Sequence, residues 1–133
     1  MNMTLTNNEI YNYANALGQE FGSDKDVKFP IRVNFYLQKN LQELITLAQD
    51  IEKRRVEIAE KYGTLDEESQ QYKIENENIQ AASNELEELF SITQDVKIYQ
   101  VTLEDFKDMD LSATQMQALL FMIKDDTEET GCN

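Results

Sequence analysis

The sequence predicts a mainly α fold with a minor β component: a long central helix packed with three shorter helices and a small two-stranded sheet. Three observations lead there. Apolar residues recur at spacings of three and four in four separate segments, the longest running from Ile31 to Tyr62. One stretch, Asp95 to Val101, alternates instead, as a strand does. One proline and four glycines punctuate 133 residues, so long loops should be few.

Thr6-Asn7-Asn8-Glu9 reads as a capping box. Ile10, Ala14 and Leu17 form the apolar stripe of the helix it starts, which Gly18 or Gly22 ends. A polar loop, Gly22 to Asp26, comes next. Pro30 belongs in the first turn of the second helix, where a missing amide costs nothing. In that helix Leu37, Leu41, Leu44, Ala48, Ile51, Arg55, Ile58 and Tyr62 alternate by four and three. Such a seam needs a partner helix along its length. Gly63 stands where a left-handed cap is expected. At 1.5 Å per residue the helix spans roughly 48 Å, long enough to bend or to project into an oligomer.

Tyr72 to Glu75 reads as a short strand, paired with the alternating segment 95–101. Asn78 is placed to cap a third helix bearing Ile79, Ala82, Leu86 and Leu89. Thr102 or Ser112 caps the closing helical segment. Ser112-Ala113-Thr114-Gln115 is a second capping box, and Met116, Leu119, Leu120 and Ile123 make the stripe of a last helix. One helical domain is therefore expected over 1–123, with an acidic flexible tail over 124–133.

Charge is unevenly distributed. The net charge is −14, of which residues 1–63 carry −1 and residues 64–133 carry −13. A field of that sign repels nucleic acid and anionic lipid, so neither direct nucleic-acid binding nor membrane association is expected. No run of eighteen apolar residues exists to span a bilayer, and the first residues lack the pattern of a signal peptide. The single cysteine, Cys132, allows no internal disulfide, which fits a reducing compartment.

The chain has no histidine, which removes the commonest general base and metal ligand. No glycine-rich phosphate loop is present. Glu104, Asp105, Asp108 and Asp110 lack the glycine and terminal glutamate of a calcium loop and read as a solvated acidic turn. Glu85, Glu87 and Glu88 read as an exposed helix face. No enzyme activity, metal or cofactor is expected.

Lys53-Arg54-Arg55 is the only basic cluster, and Arg55 lies on the apolar seam. It either pairs with an acid on a neighbouring helix or offers its fork to a phosphate. A ligand there would draw on Arg54 and Arg55, with Tyr11 and Tyr36 stacking on a base; Tyr13 and Phe35 are further aromatic candidates. The seam residues Leu37, Leu41, Leu44, Ile51, Ile58 and Tyr62 are the candidate interface of a homo-oligomer.

Leu5-Thr6-Asn7-Asn8-Glu9-Ile10 and Phe29-Pro30-Ile31-Arg32-Val33, followed by Lys39-Asn40-Leu41, resemble a family of small uncharacterised phage and prophage proteins of Gram-positive hosts. Arg54-Arg55 with Glu60-Lys61-Tyr62-Gly63 resembles that family's central helix. Val101-Thr102-Leu103-Glu104-Asp105 and Leu111-Ser112-Ala113 resemble its closing segment. The resemblance covers about residues 5–123. It implies a phage accessory protein in the cytoplasm of the host bacterium, and carries no catalytic motif. Two functions are the leading expectations: occupying and inhibiting a host defence protein, or sequestering a nucleotide immune signal in pockets between chains. A structural or morphogenesis role in the phage particle is the third.

Overall fold

The computed structural model describes residues 2–22 and 28–124. The expected polar loop at 23–26, the tail from 125 onward and Cys132 lie outside the described residues. Strand β1 (Asn2–Thr6) leads into helix α1 (Asn7–Phe21). The long helix α2 (Ile31–Tyr62) comes next, then the hairpin β2 (Gly63–Asp66) and β3 (Gln71–Ile74). Helix α3 (Ile79–Ser91), β4 (Thr93–Lys97) and β5 (Val101–Thr102) succeed the hairpin, then α4 (Ala113–Leu119) and β6 (Ile123–Lys124). The expected mainly α architecture with a long central helix is what the chain adopts.

The helix starts obey local chemistry. Thr6 Oγ1 accepts from the Glu9 amide at 3.0 Å, and Glu9 Oε1 accepts from the Thr6 amide at 2.9 Å. Ser112 and Gln115 repeat the arrangement at α4. Pro30 sits one residue before α2 rather than inside it, its carbonyl accepting from the Asn34 amide at 2.9 Å.

One hydrophobic cluster holds the elements together. Ile10, Ala14 and Leu17 of α1 meet Leu37, Leu41 and Leu44 of α2, all buried. Leu119 and Met122 close the cluster from the C-terminal side. Leu120, expected on that stripe, is 56% exposed, because α4 ends at Leu119 and a 3-10 turn brings Met122 inward instead. Residues three apart eclipse in such a turn, so Met122 comes after Leu119 into the core.

Among the described residues three two-stranded sheets form, and their pairing differs from the expected one. β3 pairs antiparallel with β2, not with residues 95–101. β4 pairs antiparallel with β1, with Leu5 opposite Gln94 and Met3 opposite Val96. β5 pairs parallel with β6, so Lys124 belongs to the fold and not to the tail. Closing the hairpin requires only a four-residue loop, whereas α3 carries the chain away between Ile74 and Thr93.

Gly63 is not a left-handed cap. Its φ is −137° and it begins β2 in extended geometry. Glycine is needed there for space: a Cβ would lie 2.5 Å from the Lys73 carbonyl oxygen. Asn78 makes no cap bond either. Its Nδ2 donates at 3.2 Å to the carbonyl of Tyr62, one of the acceptors left open at the end of α2.

Candidate functional site

Arg55 projects from the second half of α2, where the core thins. Its Nε donates to Glu52 Oε2 at 2.9 Å, and its second arm engages Glu52 Oε1. The Tyr11 hydroxyl donates to the same Glu52 Oε2 at 3.2 Å, linking α1 to the pair. The Arg55 hydrogen bond holds the Glu52 carboxyl below the usual carboxylate range, and Glu52 in turn raises Arg55. Arg55 therefore pairs with an acid three residues back on its own helix, not with a neighbouring helix.

Beside this pair lies a groove of about 440 Å³. Val56 and Ala59 of α2, Tyr72 and Ile74 of the hairpin, and Leu86 of α3 line it, with Arg55 at its edge. The Tyr72 hydroxyl donates to Glu60 at 3.0 Å. An anion entering the groove would meet an arginine whose Nε and Nη2 already engage Glu52, leaving Nη1 as its remaining donor edge.

The sequence-predicted ligand residues do not converge. Arg55 and Tyr11 meet through Glu52. Arg54 pairs instead with Asp50 at 3.7 Å and Glu57 at 3.5 Å on the exposed side. Tyr36 lies nineteen residues from Arg55 along one helix, about 28 Å away. There it stacks on Tyr99, with centroids 5.4 Å apart. Tyr13 stacks on Phe121 at 4.5 Å, and Phe35 is 55% exposed. Of the candidate interface residues, Leu37, Leu41, Leu44 and Ile51 are buried in this chain's own core, complete without a second copy. Ile58 and Tyr62 are half-buried among α2, the hairpin and α3.

The hairpin end of the molecule carries the uncompensated charge. Glu67 and Glu68 in the β2–β3 loop, Glu75 and Glu77 before α3, and Glu87 and Glu88 on α3 are exposed. None of these six forms an ion pair among the described residues, whereas Lys61 pairs with Glu85 and Lys73 with Asp66. Of the bases at this end, Lys53 stands outside an ion pair among the described residues. Among the described residues no cluster of three or more His, Cys, Asp or Glu could hold a metal ion. Glu104 and Asp105 of the acidic turn are engaged by Lys107 and Arg32. No described helix is long and apolar enough to cross a membrane.

Two polar residues with large structural roles escaped the sequence reading. Asn40 is fully buried, its Nδ2 donating to the Tyr99 carbonyl and its Oδ1 accepting from the Tyr99 amide, both at 2.8 Å. Asn7 donates to the Leu89 carbonyl at 2.8 Å and accepts from Gln94 Nε2 at 2.7 Å. The available signal was position: Asn40 lies three residues after Leu37 and four before Leu44, on the buried side of α2.

No protein-family model, curated protein or solved structure matches this chain.

Proposed function

We propose that this chain is a phage accessory protein without catalysis that binds and inhibits a host defence protein in the cytoplasm of the infected bacterium. The observation that carries the reading is the exposed, unpaired carboxylate surface at the hairpin end. Such a surface suits a basic, nucleic-acid-handling groove, which it would occupy in place of a phosphate backbone. Opposite charge speeds that encounter and weakens as salt rises. The test is capture of a basic partner from infected host lysate at low salt. Partner release at high salt supports the reading; no partner, or one held equally at all salt concentrations, removes it.

The nucleotide-sequestering alternative draws less support, because Arg54, Arg55, Tyr11 and Tyr36 do not share a pocket and Arg55 is held by Glu52. Thermal-shift screening with cyclic nucleotides and ADP-ribose derivatives should give no stabilisation. A clear shift with any of them would reverse the order. A morphogenesis role predicts the protein in purified virions.

A further inference from the structure

On one side of the molecule the charge disappears. The exposed residues of α1 are Asn8, Asn12, Asn15 and Gln19, all neutral amides spaced by four and three. On α2, Ile31, Phe35, Gln38, Gln42, Ile45 and Gln49 are again spaced by four and three and all exposed, and Ile45 and Gln49 lie beside Asn15 and Gln19. The charged residues on this half of α2, Arg32, Lys39, Glu43 and Asp50, fall together on a different flank, since 3.6 residues per turn places them within about 40° of one another. In a chain of net charge −14 these two neighbouring stripes of uncharged residues are conspicuous, with the Lys39 ammonium reaching their edge 5.5 Å from the centre of the Phe35 ring.

We infer that this face docks a second copy of the same chain across a two-fold axis. Charge argues for that occupant. Two strongly acidic chains repel wherever their acids approach, and this face lies in the half that carries only −1. A basic partner would gain more at the hairpin end. A membrane surface would need a fuller apolar face and flanking bases.

Hydrogen bonding argues the same way. The side-chain amides of Asn8, Asn12, Asn15, Gln19, Gln38 and Gln42 have no hydrogen-bond partner among the described residues. An amide both donates and accepts, so a surface of amides complements its own image, as a two-fold interface requires.

Shape supplies the anchor. Ile45, 38% exposed, stands between two shallow, open depressions. One, of about 430 Å³, runs between α1 and α2 over Ala14, Gly18 and Ala48. Its floor is open at Gly18, where a Cβ would meet nothing within 4 Å. The other, of about 350 Å³, lies over Leu41 between Gln38 and Gln42. With the two-fold axis near Ile45, each copy's Ile45 enters a depression of the other. The α2 stripe from Ile31 to Gln49 is about 27 Å long and the α1 stripe from Asn8 to Gln19 about 17 Å, each about 10 Å wide. That is roughly 430 Å² per copy and 870 Å² in all, the size of a weak, reversible contact.

The dimer is independent of the proposed host target, and salt separates the two. Host binding weakens with salt, whereas this dimer tightens as screening relieves repulsion between like-charged chains. Sedimentation velocity over about 1–100 µM, at low and high salt, reads it directly. The expected result is a monomer–dimer equilibrium favoured by salt. Ile45→Glu and Gln42→Glu should each weaken it at least about tenfold by facing like charges across the axis. Glu43→Gln, on the charged flank, should not weaken it. Both glutamate substitutions are at exposed positions, and circular dichroism checks that the fold persists. A monomer throughout, or a dimer indifferent to Ile45→Glu and Gln42→Glu, overturns the inference.

Discussion

Asn40→Leu is the substitution whose consequence the structure defines most sharply. Leucine is close to asparagine in size and extends the apolar face of α2, so periodicity alone predicts stabilisation. The structure predicts the reverse. Asn40 is fully buried, and both of its amide atoms are committed to the Tyr99 main chain at 2.8 Å. Leucine would leave the amide and the carbonyl of Tyr99 without those partners. Each unpaired buried group costs about 1–3 kcal/mol. Tyr99 is half-buried, which favours the lower part of that range, and the new apolar side chain returns up to about 1.5 kcal/mol. At about 1–2 kcal/mol each the two groups cost about 2–4 kcal/mol, so after the apolar return the net loss is about 1–3 kcal/mol, or a fall in Tm of about 5–10 °C for a domain of this length. Urea unfolding followed by circular dichroism reads it. Asn40→Asp should also lose stability, because its second oxygen would face the Tyr99 carbonyl and its charge would be buried. Leucine at 40 within about 0.5 kcal/mol of the parent would refute the clamp.

Gly63→Ala should cost about 1–3 kcal/mol, since the added methyl meets the Lys73 carbonyl oxygen and the β2–β3 hairpin must shift; an unchanged urea midpoint would contradict that. Gln70 holds a φ of 59° in the hairpin loop, so Gln70→Gly should raise stability by up to about 1 kcal/mol, checked by thermal melting. Asp105 accepts from the Thr102 amide at 2.9 Å and from Arg32, and the Thr102 bond leads in lowering its pKa. A lowered folded-state pKa contributes stability above the unfolded value of about 4, and that stability is lost as pH falls below it. Asp105→Asn should therefore be less stable than the parent at pH 7, with the difference shrinking toward pH 3; a constant difference in urea midpoint would count against the linkage.

The legible part of the sequence was local. The capping boxes Thr6/Glu9 and Ser112/Gln115 close over three residues and announced two helices. The leucine seam of α2 announced its buried face as far as Ile51. Pairing across distance was hidden. Strand β1 has only five residues, and its partner β4 lies about ninety residues on. The spacing from Leu37 and Leu44 places Asn40 on the buried face of α2, but the clamp itself depends on Tyr99, 59 residues away, and nothing near Asn40 in the chain names that partner. Arg55 was legible as a charge on an apolar seam, but its partner Glu52 lies three residues back on the same helix, a spacing that any charged helix face offers. The uncharged face was visible in the spacing of the amides, yet only burial separates Asn8, Asn12, Asn15 and Gln19 from an ordinary polar helix.

The acidic hairpin end as the binding surface for a basic host protein is tested most directly by one comparison. Infected-host lysate is passed over the immobilised chain and over a variant carrying Glu67→Gln, Glu68→Gln, Glu75→Gln and Glu77→Gln. The expected result is a basic protein retained by the parent at low salt, released as salt rises, and lost with the variant. Equal retention by both chains, or no retained protein, contradicts it.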